Sequence, residues 1–209
     1  NTFIIAIFTC IISTVFVLSV SYCMSRMRFK MRKPFMNIAM ILGLFPSFMS
    51  MIAVYYILKA LNLADGAMIR VALIIVFSAG SGVGFYVAKG FFDTIPKALD
   101  EAAIIDGATR WQVFTKVTVP LSKPIIVYTI LTSFMTPWID FIFGKVICRA
   151  DAQYYTVSIG LWKMLEKVYI DSWYTCFAAG AVVVSIPIAI LFLVTQKFYV
   201  EGMSGAVKG

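Results

Sequence analysis

Histidine is absent from all 209 residues, which removes the commonest metal ligand and the usual general base near neutral pH. The chain is therefore poorly furnished for hydrolytic or metal-dependent chemistry. Charge is scarce as well: Asp, Glu, Lys and Arg make up 13% of the residues, against about 25% in an ordinary soluble domain. Cysteine is limited to Cys10, Cys23, Cys148 and Cys176. They lie far apart without ligand-like spacing, so neither a zinc site nor a disulfide framework is indicated, and they read as small membrane hydrophobes. A Gly-x-x-x-x-Gly-Lys-Ser/Thr phosphate loop is also missing, so the chain is not expected to be an enzyme or to hydrolyse a nucleotide itself.

What is present is apolar length. With 61% hydrophobic residues, the composition is that of an integral membrane protein. Five stretches can cross a hydrocarbon core of roughly 30 Å, which takes about 20 helical residues: Phe3 to Met24, Phe35 to Leu58, Ala67 to Ala88, Pro124 to Ile147 and Tyr174 to Gln196. All are expected to be helices, because an isolated strand leaves its backbone polar groups unsatisfied in lipid. The predicted fold class is all-α and polytopic, a single transmembrane domain over 1–209. Gly43 with Pro46, Pro137 and Pro187 fall inside three of the spans, where proline deletes a backbone hydrogen bond and bends the helix.

The net charge of +8 is explained by its distribution. Arg26, Arg28, Lys30, Arg32 and Lys33 follow the first apolar run, unlike the charges of a cleavable signal, which precede it. Under the positive-inside rule they place that loop in the cytoplasm. Alternating sides then puts Lys89 to Lys123 and the C-terminal tail inside, with twelve Lys and Arg inside and six outside. An outside N-terminus on a chain beginning Asn1-Thr2 predicts a further transmembrane helix upstream. Trp138, Trp162, Tyr169, Trp173 and Tyr174 cluster at the outer ends, as rings settling at the headgroup level do.

Between the third and fourth spans lies a polar segment, 93–120. Ile95, Ala98, Leu99, Ala102 and Ala103 mark one helix face, with Lys97, Asp100 and Glu101 off it. Thr94 is predicted to cap this helix, with Pro96 in its first turn, and Gly107 to end it. Thr109-Arg110-Trp111-Gln112 has capping-box spacing and predicts a second helix running to about Val119, broken by Pro120. The product is a short helix, a glycine turn and another short helix. Such a segment could lie on the membrane as a basic amphipathic helix. Asp93, Asp100, Glu101 and Asp106 would then meet an anionic leaflet, and the small alanine face suits a packed protein partner better.

Glu101-Ala102-Ala103, three residues, Gly107, nine residues and Val117-Thr118-Val119-Pro120 resemble the signature loop of permease subunits of binding-protein-dependent ABC importers, whose pattern reads Glu-Ala-Ala, three, Gly, nine, Ile-x-Leu-Pro. Valine at 117 and 119 is a conservative departure. Arg26-Met27-Arg28-Phe29, Phe45-Pro46, Lys89-Gly90-Phe91-Phe92, Asp106-Gly107-Ala108-Thr109 and the ending Gly205-Ala206-Val207-Lys208-Gly209 are similar to the MalG-like members of the family, which serve maltose and oligosaccharide uptake. The resemblance implies a MetI-like permease fold and alternating access driven by ATP. It makes Glu101, Ala102, Ala103, Asp106 and Gly107 the candidate ATPase-coupling residues. It implies a MalF-like second permease, two cytoplasmic ATPase subunits that bind ATP and Mg, and an extracellular sugar-binding protein touching the external loop 148–173. The tail Glu201 to Gly209 would reach the ATPases, and this chain would hold no cofactor of its own.

Weaker signals have plainer explanations beside them. Gly80-Ser81-Gly82-Val83-Gly84 has a hint of a dinucleotide loop, but inside an apolar span it is read as close helix packing. Asp140 sits near the interior of a span beside Pro137 and Trp138, where a carboxylate costs about 2.5 to 3.5 kcal/mol at mid-bilayer; it is a candidate for the substrate path or for the outer interface. Tyr55 and Tyr56 could stack on sugar faces or belong to the aromatic belt. An ABC permease for another solute such as glycerol phosphate is an alternative, since sequence does not read the cavity, and an ion-driven transporter is the rival class, although no clear internal repeat is visible. An intramembrane enzyme lacks its catalytic group set.

Overall fold

Apolar runs with no water to satisfy their backbone have one local solution, the helix, and the computed structural model consists of helices and turns with no strand among the described residues. It describes residues 1–44, 47–79, 82–149 and 151–206. The expected bend at Pro46, the Phe45-Pro46 match, Gly80-Ser81 and the terminal Val207-Lys208-Gly209 lie outside them. In chain order the helices are α1 Thr2–Arg26, α2 Arg32–Leu44, α3 Ser47–Ala60, α4 Met68–Ala79, α5 Gly82–Thr94, α6 Lys97–Ile105, α7 Arg110–Val113, α8 Val119–Leu121, α9 Lys123–Ile139, α10 Ile142–Cys148, α11 Val157–Met164 and α12 Ile170–Ala206. A π-helical turn, Phe114–Thr118, joins α7 to α8, and a 3₁₀ turn, Ala152–Tyr154, precedes α11.

Within the described residues, α1 and the Ile170–Gln196 part of α12 are long and apolar enough to cross a membrane by themselves, and the count reaches five if each of three broken helix pairs forms one span. Helix α12 runs unbroken through Pro187. The expected continuous span Pro124 to Ile147 is corrected: α9 stops at Ile139 and a new helix starts at Ile142. Pro137 has already removed one intrahelical donor. Asp140, one residue before the Phe141 cap position of α10, stabilises the break, its Oδ1 accepting the Gly144 N–H at 2.9 Å.

The chain divides into two compact units. One comprises Asn1–Ile12, Phe45–Gly80 and Leu131–Val194, with a core of Ile5, Leu58, Ile69, Leu73, Ile147 and Ile159. Its connections are tied by polar side chains. Asn1 donates to the Gln153 carbonyl at 2.7 Å and accepts from Arg70 Nε at 2.9 Å, while Thr2 Oγ1 accepts the Val157 N–H at 2.7 Å. Much of the expected external loop 148–173 is thereby ordered as the 3₁₀ turn, α11 and the start of α12. A Cβ on Gly180 of α12 would stand 2.9 Å from Leu161 Cδ2, so α11 packs directly on that glycine.

The other unit comprises Ser13–Leu44, Ser81–Ile130 and Thr195–Gly209, around Val17, Leu18, Tyr22, Ala88, Phe92 and Phe114. Ser21 Oγ donates to the Phe85 carbonyl at 3.1 Å and Tyr86 to the Met36 carbonyl at 2.6 Å, joining α5 to α1 and α2. Of the small-residue run, Gly84 faces Val17 with room for a methyl group.

Candidate functional site

Residues 93–120 fold into a stiff elbow inside the second unit, and its rigidity begins with its caps. Thr94 does not cap α6 as expected; its hydroxyl donates back to the Phe91 carbonyl at 2.7 Å and finishes α5. Pro96, with φ −57° and ψ 127°, occupies the cap position itself rather than the first turn, which leaves Thr94 too early to reach the α6 amides. The far end of α6 behaves as the sequence predicts. Gly107 adopts φ +85°, its N–H bonds to the Ile104 carbonyl, and the Ala108 N–H bonds to the Ala103 carbonyl at 2.9 Å. This is the paired hydrogen bonding of a Schellman ending, which requires a left-handed residue at that point.

Helix α7 then starts on the predicted capping box: Thr109 N–H donates to Gln112 Oε1 at 2.7 Å and Gln112 N–H to Thr109 Oγ1 at 3.3 Å. Pro120 does not end this helix at Val119, in contrast to the expectation. The turn widens to π geometry over Phe114–Thr118, relieving the collision that a proline ring makes with the carbonyl four residues back. The helix continues to Leu121, and the chain turns by 82° into α9 after Ser122.

A buried ion pair pins the elbow to the end of α1. Arg26 Nε lies 2.8 Å from Asp100 Oδ2, with the two side chains only 5% and 13% exposed, and Arg26 Nη2 donates to the Ile95 carbonyl at 2.9 Å. Next to it, Ser25 Oγ donates to Asp93 Oδ1 at 2.6 Å and Lys89 pairs with the other oxygen of that carboxylate. Tyr22 packs against Phe114 with ring centroids 4.7 Å apart. A lever held at its base by charge, hydrogen bonds and an aromatic contact can transmit displacement rather than absorb it.

The outer side of the elbow is bare. No residue of α6 is buried: Glu101, Ala102, Asp106 and Gly107 are exposed and Ala103 is half-buried. Of the anticipated apolar stripe only Ile95 is buried; Leu99 stays open, as do Ile104, Ile105 at 84% and Trp111 at 69%. Apolar side chains presented on a fixed framework are the anatomy of a docking face.

The candidate path residues carry separate structural duties. Tyr55 lies under the Arg149 guanidinium, 5.5 Å from ring centroid to Cζ, and packs edge-on to Tyr56, which is exposed. Arg149 also pairs with Asp65. Asp140 precedes α10 and accepts the Gly144 N–H through Oδ1, and its backbone carbonyl accepts from Ser158 Oγ.

A family model described as the inner membrane component of binding-protein-dependent transport systems matches residues 16–204, a span containing the whole elbow. The chain belongs to this family. The galactooligosaccharides transport system permease protein GanQ of Bacillus subtilis is 35% identical over 100% of this chain and 73% of its own length. The maltodextrin permease protein MdxG of the same organism is 31% identical over 100% and 74%. The maltose/maltodextrin permease protein MalG of Escherichia coli is 32% identical over 90% and 64%. Among solved structures, a bacterial ABC transporter involved in import of the acidic polysaccharide alginate superposes with a TM-score of 0.78 at 25% identity, covering 95% of this chain and 73% of that one.

This permease therefore has the MetI-like fold that the signature loop implies, and it is a membrane protein. Sequence reasoning missed Arg26 and Asp100 as partners. It counted the first as a topology charge and the second as an off-stripe residue. The available signal was weak: an acid in the first turn of α6 and an arginine-rich cluster after α1, with Lys97 three residues before Asp100 as a competing local partner.

Proposed function

We propose that this permease carries a neutral oligosaccharide across the cytoplasmic membrane by alternating access, powered by ATP hydrolysed in separate ATPase subunits. The elbow 93–120 docks on one of them, with Glu101, Ala102, Ala103, Asp106 and Gly107 as the coupling residues. Closure of the ATPases around ATP and Mg pushes the elbow, and the Arg26–Asp100 pair passes the push to α1. The observation that carries this reading is the bare apolar face of α6 and α7 on a base that is pinned in place. The C-terminus lies on the same, cytoplasmic side.

Helix α12 offers a second exposed apolar surface, with Val182, Val183, Ile186 and Ile190 open, suited to lipid and to a second, MalF-like permease. An extracellular sugar-binding protein delivers cargo at the loop 148–173. Relatives named for galactooligosaccharide and maltodextrin transport support a malto- or galacto-oligosaccharide. Tyr55 and Tyr56 offer ring faces for a sugar, and Asp140 lies at a helix break where a path could pass.

The test is Ile105→Asp in the assembled transporter. Ile105 makes no buried contact in this chain, so the fold should survive while ATPase co-purification and uptake fall together. Unchanged co-purification and uptake would overturn the docking role. Cargo is decided by thermal-shift screening of the cognate binding protein with maltodextrins, galacto-oligosaccharides and glycerol phosphate; stabilisation by glycerol phosphate alone would exclude the oligosaccharide reading.

A further inference from the structure

Where α1 ends against the elbow there is a cleft of about 180 Å³. Its walls carry five cationic side chains, Arg26, Arg28, Arg32, Lys97 and Arg110. Two carboxylates, Asp100 and Glu101, also line it, and the first is committed to Arg26. A surplus of positive charge in a concave, partly desolvated place concentrates anions. A second observation sharpens the ligand. Arg26 Nη1 and Asp100 Oδ1 are buried without a hydrogen-bond partner, and Arg26 Nε meets Asp100 Oδ2 as a charge contact without a hydrogen bond of its own, although both side chains line the cleft. Buried charged groups left unmatched are costly, so this pocket lacks acceptors for the guanidinium and a donor for the carboxylate.

We propose that the cleft binds a phosphate ester or hydrogen phosphate bearing at least one hydroxyl. The phosphate oxygens accept from the Arg26 guanidinium, whose planar fork suits phosphate, and the hydroxyl donates to Asp100 Oδ1. An anion with acceptors only would satisfy the arginine and repel the carboxylate. The volume equals the liquid share of about six waters at ~30 Å³ each, room for a phosphate with a small hydroxylated substituent. Two sources share this chemistry: the headgroup of phosphatidylglycerol, reached where an apolar span meets the polar loop, and free inorganic phosphate. The cleft borders the docking face, sharing Glu101 and Ile104 with it, and its occupancy does not depend on which cargo is carried.

The experiment compares the assembled transporter with its R28Q/R32Q/R110Q variant, which leaves the Arg26–Asp100 pair intact. Phosphatidylglycerol and phosphatidylcholine retention is measured by native mass spectrometry, and inorganic phosphate binding by titration calorimetry. Each removed charge should weaken binding roughly fivefold. Wild-type preference for phosphatidylglycerol that the variant loses supports the lipid source. Phosphate binding that the variant loses, without lipid preference, supports the free anion. Equal behaviour of the two proteins, or no binding of either probe to wild type, overturns the proposal. Should the triple variant fail to assemble, R28Q alone, at an exposed position, gives the same reading with a single fivefold step.

Discussion

Replacing Arg26 by methionine keeps an unbranched apolar stem and removes the guanidinium, leaving Asp100 buried and unpaired. Unit charges about 4 Å apart attract by about 4 kcal/mol at an effective dielectric constant near 20, and breaking one side of a buried pair costs about 3 to 5 kcal/mol. The lost hydrogen bond to the Ile95 carbonyl belongs to the same desolvated site and is not added again. For a chain of this size, about 2 to 4 °C of melting temperature accompanies each kcal/mol, so R26M should melt about 10 °C below wild type in the purified transporter. The double variant R26M/D100L removes both charges and should recover most of that loss, since a well-packed apolar pair can replace a buried ion pair at little cost. ATPase co-purification should follow the same order, because the pair holds the base of the elbow. A single-variant shift under about 2 °C, or a double variant no more stable than the sum of its singles, would refute the claim that this pair pins the lever.

Three further outcomes follow from the same geometry. Gly107→Ala meets no neighbouring atom within 4 Å but must hold φ +85°, which costs about 1 to 2 kcal/mol; uptake should fall, with Gly107→Asn milder because asparagine tolerates that conformation. Thr109→Ala removes the capping box for about 1 kcal/mol, and hydrogen exchange at the Gln112 amide should accelerate while amides in α1 are unchanged. Gly180→Ala brings a methyl group against the tip of the half-buried Leu161 side chain, which can turn aside, so the cost should stay below about 1.5 kcal/mol; thermal melting of G180A should fall only slightly.

Features governed by neighbours in the chain were legible before any fold was known. The apolar runs read as helices because lipid permits little else. The Gly107 ending and the Thr109–Gln112 box read correctly because each closes within a few residues. The misreadings at Thr94 and Pro120 were also local, but in each a proline had two ways to be accommodated. Pro96 took the cap position itself, and Pro120 was absorbed by a π turn ahead of it. At Asp140, a residue weighed for the substrate path or the outer interface, the carboxylate bonds the Gly144 N–H beside the break between α9 and α10, a contact that hydropathy does not show.

The family, the all-helical class and the position of the Glu-Ala-Ala signature between apolar runs were determined by the sequence alone, since hydropathy, caps and motif spacing are properties of adjacent residues. Tertiary structure alone decided what anchors the elbow. Arg26 and Asp100 are far apart in the chain, and nothing in the composition of either segment names the other. Only folding brings them within 2.8 Å and out of water, where their attraction is no longer screened, and the same fold decides that the apolar face of α6 is left for something outside this chain.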